Sequence, residues 1–134
     1  MYSLIDELMA SPSAPLGATA RHHTEMRVLS ALGAFRTDPA PNYQHWKALA
    51  DMVTVMHLLH CAGEIADGDG LIQEAMDHVV SLRDTMRFTG PALRTLSALA
   101  QDYGQVLDEL PARALIRAHR KATKRLSAVQ KGKP

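Results

Sequence analysis

Tyr43-Gln44-His45-Trp46-Lys47-Ala48-Leu49-Ala50-Asp51-Met52-Val53-Thr54-Val55-Met56-His57-Leu58-Leu59-His60-Cys61-Ala62-Gly63 is the stretch on which the fold turns. Trp46, Leu49, Ala50, Val53, Met56 and His60 recur at helical spacing. Met52, Val55 and Leu59 widen that stripe until little polar surface remains. A helix that is apolar nearly all round is a buried one. This segment is therefore predicted to be the central element of an all-α domain, loosened or ended by Gly63.

The neighbouring segments repeat the pattern. Before it, Thr37-Asp38-Pro39-Ala40-Pro41-Asn42 reads as a loop, because each proline biases its predecessor away from helical angles. A helix is predicted over 19–35, with Met26, Leu29 and residues 32–34 on its inner face. After it, Asp67-Gly68-Asp69-Gly70 is a turn carrying capping residues. A helix over 71–88 follows, with Ile72, Ala75, Met76, Val79, Leu82 and Met86 inward.

Gly90-Pro91 opens a further helix that carries Leu93, Leu96, Leu99, Tyr103, Val106 and Leu110, and Pro111 opens the last, running to about residue 129. Its apolar side is Leu115, Ala118, Ala122 and Leu126. The methionines Met52, Met56, Met76 and Met86 fit the aliphatic core. The expected architecture is a single-domain bundle of about five main helices over 19–129, packed mostly antiparallel. A short helix at 3–9 followed by a Pro/Gly linker is expected over residues 1–18, and a disordered basic tail is expected over 130–134.

Composition narrows the function. The chain has 134 residues, the size of one ordinary domain, and 4% aromatics, so the core must be aliphatic. Cys61 is its one cysteine, which excludes an internal disulfide and a Cys-rich zinc framework and fits a reducing, cytoplasmic setting. Residues 1–10 carry Asp6 and Glu7 without a basic start, unlike a signal peptide. No apolar run approaches membrane-spanning length.

The net charge of +1 conceals a polarity: residues 1–110 hold all fourteen acids against seven bases, and residues 111–134 hold eight bases and no acid. Arg113, Arg117, Arg120, Lys121, Lys124 and Arg125 are predicted to share one face of the last helix, opposite its apolar side. Such a face suits an acidic protein surface, a nucleic-acid backbone or the chain's own acidic body. No aromatic lies beside it to stack on bases. Few bulky apolar side chains accompany it, which argues against membrane insertion.

Other motifs point to less. His57-x-x-His60-Cys61-x-x-Glu64 puts imidazole, thiol and carboxylate on one helix at metal-ligand spacing, but one helix gives an incomplete shell. His22, His23, His45 and His78 would have to complete it. The expectation is packing rather than coordination, with no metal or cofactor. Asp67-Gly68-Asp69-Gly70 fails as a calcium loop, since Leu71 and His78 stand where oxygen ligands are needed. There is no phosphate-cradling glycine loop, nucleophile elbow or dinucleotide fingerprint, so no enzyme is expected.

Trp46-Lys47-Ala48-Leu49-Ala50-Asp51-Met52-Val53, the turn at 63–70, Arg83-x-x-x-Arg87-Phe88-Thr89-Gly90 with Leu93, and Tyr103-Gly104-Gln105-Val106-Leu107 together carry a resemblance. Over about 22–120 the chain resembles a loose group of small all-helical proteins, without settled activity, carried by phages, plasmids and integrated elements of proteobacteria. Phe88 departs from that group's pattern, which has polar or basic residues before the Gly90 position. The resemblance implies a mobile-element accessory protein that binds and blocks a host protein, such as a defence component, in the manner of anti-CRISPR proteins. The expected function is thus non-catalytic protein binding through the basic stripe. The alternative is a nucleic-acid-binding accessory protein using the same residues.

Overall fold

Backbone chemistry sets the helix boundaries. The computed structural model describes residues 17–37, 41–67 and 70–131, with side chains as far as Ser127. All its elements are helices: α1 (Ala18–Thr37), α2 (Tyr43–Cys61), α3 (Leu71–Thr85), α4 (Gly90–Glu109) and α5 (Ala112–Lys131). The helix expected at 3–9 lies outside the described residues, as do 38–40, Gly68, Asp69 and the last three positions.

Asn42 caps α2 through its side chain, which accepts from His45 N at 3.1 Å, while the Asn42 amide donates to His45 Nδ1 at 3.1 Å. This reciprocal pair satisfies two amides that a helix start leaves orphaned. Thr89 caps α4 by a single bond, its hydroxyl accepting from Ala92 N at 3.1 Å, with Pro91 in the first turn. The Asp67 carboxylate accepts from Ile72 N at 3.1 Å, which satisfies one amide in the first turn of α3.

The centre of the bundle is α2, which packs against α1, α3, α4 and α5; α4 also packs on α1 and α3. Leu49, Met52 and Val55 are wholly removed from solvent. Truncating Leu49 to alanine would cost about 2–5 kcal/mol, the usual range for such core deletions. Trp46 is buried and its indole N–H donates to Val79 O at 3.0 Å, tying α2 to α3. The Arg83 guanidinium sits 5.8 Å from the Trp46 ring centroid. Phe35 stacks on Phe88 at 5.0 Å, closing the end of α1 onto the α3–α4 connection. Arg21 pairs with Asp108, joining the start of α1 to the end of α4, so these two helices run antiparallel.

Three sequence expectations are corrected. Met26 and Leu29 face outward, 44% and 49% exposed, and the inner face of α1 is Thr24, Val28, Ala31, Leu32 and Phe35. Two apolar stripes compete on this helix, and the one ending in Phe35 meets both α2 and Phe88. His60 is exposed rather than part of the α2 stripe. Finally, α3 stops at Thr85: Met86 takes a left-handed conformation (φ 54°) and its amide closes on Leu82 O at 2.8 Å. Phe88 therefore belongs to the connection.

Candidate functional site

On α5 the buried row is Ala112, Leu115, Ile116, Ala118, His119 and Ala122. That row fixes the opposite face by geometry. Arg113, Arg117, Arg120, Lys121, Lys124 and Arg125 are all exposed, within an arc of about 140° at 3.6 residues per turn. Among the described residues, Arg113, Arg117, Lys121, Lys124 and Arg125 form no ion pair with the acidic body.

Half of this face borders a groove. Between the C-terminal turn of α2 and α5 lies an open hollow of about 250 Å³. Leu58, Leu59 and Ala118, all buried, line its floor. Arg117, Lys121 and Arg125 stand along one wall, and Cys61, Ala62 and Glu64 line the other. Three cations thus face a single carboxylate across an apolar floor.

The four metal-candidate residues separate. His57 Nε2 lies 3.5 Å from Cys61 Sγ, and this contact holds only two of the four together. His60 Nδ1 is 3.2 Å from Ile65 O, where it helps end the helix. Glu64 stands at the groove rim. The other histidines are dispersed: His45 is in the α2 cap, His78 is 4.0 Å from Glu74, and His22 and His23 are ring neighbours on α1. No three His, Cys, Asp or Glu side chains converge as a metal site among the described residues.

Two polar pairs, one part-buried and one buried, were not evident from the sequence. Arg27 on α1 reaches Asp51 on α2 at 2.7 Å, with Asp51 only 4% exposed. Asp51 Oδ1 has no hydrogen-bond partner among the described residues. Tyr103 Oη on α4 and His119 Nε2 on α5 are 2.8 Å apart, both buried. Burial, aided by the Arg27 charge, lowers the His119 pKa from 6.5 to about 4, so the imidazole is neutral in the fold. The available signal was Asp51 itself, an acid inside a helix with almost no polar face. Such a group is retained only when paired.

A larger cleft of about 430 Å³ separates α1 from α4, lined by Leu29, Glu25, Arg36 and Gln101 among others. Its charges are of both signs, which gives it no single electrostatic preference. Among the described residues no helix is long and apolar enough to cross a membrane. No family model, curated protein or solved structure matches the chain.

Proposed function

We propose that this chain is a non-catalytic binding protein that docks through the basic face of α5 on an acidic surface of another protein. The observation that carries this reading is the exposure of all six bases, Arg113, Arg117, Arg120, Lys121, Lys124 and Arg125, on a helix whose opposite face is buried. Charge of one sign on a rigid helix favours fast, oriented association. In the setting that the sequence resemblance suggests, the chain is a mobile-element accessory protein, and its partner is a host protein such as a component of a defence system.

The same face could meet nucleic-acid phosphates, and the charge distribution weighs against it. A uniform polyanion lying along α5 would also approach the acidic remainder of the chain, which carries fourteen acids against seven bases. A protein partner can place acids opposite α5 and bases or neutral groups opposite the rest. Retardation of duplex DNA at low and moderate salt separates the two readings. Weak, non-saturating retardation is expected; tight binding, with affinity falling at a log–log slope near −0.9 per phosphate contacted, would replace the protein reading by the nucleic-acid one.

A further inference from the structure

We infer that the groove between α2 and α5 receives an acidic helix of the partner, which lays a row of carboxylates along Arg117, Lys121 and Arg125 and inserts one apolar side chain between them and Cys61. The inference rests on the docking role of α5 and adds the kind of element that docks.

Spacing is the first argument. Arg117, Lys121 and Arg125 succeed one another every four residues on one helix, a rise of about 6 Å each. Carboxylates four residues apart on a second helix have the same pitch. A neighbouring helix packs at about 8–10 Å between axes, so the two rows come within ion-pair reach along their length.

Size is the second. The hollow of about 250 Å³ falls below the roughly 300–1,000 Å³ typical of sites that enclose a whole small ligand. It suits an anchor side chain instead, the kind of buried contact that dominates interface energetics.

The floor is the third argument. Leu58, Leu59 and Ala118 offer apolar surface with no aromatic ring beside it, so a nucleobase gains little there and an aliphatic side chain gains most. Glu64 on the far rim opposes the occupant's charge, but three cations outweigh it, and its position favours carboxylates on the α5 side of the groove. That asymmetry orients the incoming helix.

The test uses the full chain and two fluorescently labelled, helix-stabilised peptides, each with glutamates every four residues, one with leucine and one with alanine at the anchor position. Fluorescence anisotropy at fixed salt is expected to show the leucine peptide binding about tenfold tighter. Ala62→Trp, which fills the groove from an exposed position, should reduce the leucine peptide to the affinity of the alanine one. Alkylation of exposed Cys61 with N-ethylmaleimide should do the same and serves if Ala62→Trp does not fold.

Equal binding of both peptides, with affinity lost on Arg117→Glu and Lys121→Glu, would overturn the groove while leaving the basic docking face standing. Binding of neither peptide would overturn the acidic-helix occupant. Tighter binding of duplex DNA than of the leucine peptide would overturn the occupant and the protein-docking reading together.

Discussion

The Tyr103 hydroxyl meets the His119 imidazole at 2.8 Å inside the bundle, joining α4 to α5 behind the basic face. His119 is 8% exposed and neutral, with a pKa lowered to about 4 by burial and by the Arg27 charge. The unfolded chain therefore takes up a proton near pH 6.5 that the folded chain refuses until about pH 4. Stability from this residue is complete above pH 6.5 and falls as the pH drops from there towards 4, by up to about 3 kcal/mol. Urea unfolding at pH 7.5 and pH 5 should show the loss, and His119→Gln should show a smaller one. Equal losses in both proteins would mean that carboxylates, not His119, set the acid limit.

Asp51 is buried against Arg27, and its second oxygen is unpaired among the described residues. Arg27→Met should destabilise by about 3 kcal/mol, because it strands a buried carboxylate. Arg27→Met combined with Asp51→Leu should recover most of that loss, since an apolar pair removes the desolvation penalty. Denaturation midpoints of the two single variants and the double variant measure the coupling. Strict additivity would show that the pair contributes nothing to the fold.

His57 and Cys61 touch, while His60 turns to Ile65 O and Glu64 lies on the groove rim. Two donors do not make a tetrahedral shell. Protein purified without chelator should carry substoichiometric zinc, nickel or iron by elemental analysis, and chelator should leave its melting temperature unchanged. Near-stoichiometric metal, lost together with stability, would instead make the cluster a structural site.

Met86 closes α3 in a left-handed conformation that disfavours side chains. Met86→Gly would relieve about 1 kcal/mol of backbone strain, against the loss of a half-buried side chain on the core. The expected balance is a change below about 1 kcal/mol in either direction, read from thermal melts. A loss of several kcal/mol would show that Met86 packing, not backbone strain, decides the site.

Local chemistry explains what could be read in advance. Pro91 and Pro111 mark helix starts through their own dihedral angles, and the apolar run around Leu49 declares its burial without reference to anything else. Met26 and Leu29 could not be placed, because the choice between two stripes on α1 is made by α2, α4 and Phe88. The six bases of α5 were legible as a face. The groove was not: Cys61 and Arg117 are far apart in the chain and meet only because α5 packs directly on α2. Tyr103 and His119 escaped for the same reason, each looking like an ordinary member of its own helix.

The proposed docking depends on where the positive charge lies, not on how much there is. It is tested by comparing the proteins retained from lysate of the source cells by wild type and by two variants of equal net charge, with mass-spectrometric quantification. In one, Arg117, Lys121 and Lys124 become Glu; in the other, exposed Arg36, Arg87 and Arg94 become Glu. Both should remain helical by circular dichroism, because exposed charge changes alter stability little. A protein retained by wild type and by the Arg36/Arg87/Arg94 variant, but lost from the α5 variant, is the predicted result. Equal retention by all three, or equal loss from both variants, would contradict a docking face on α5.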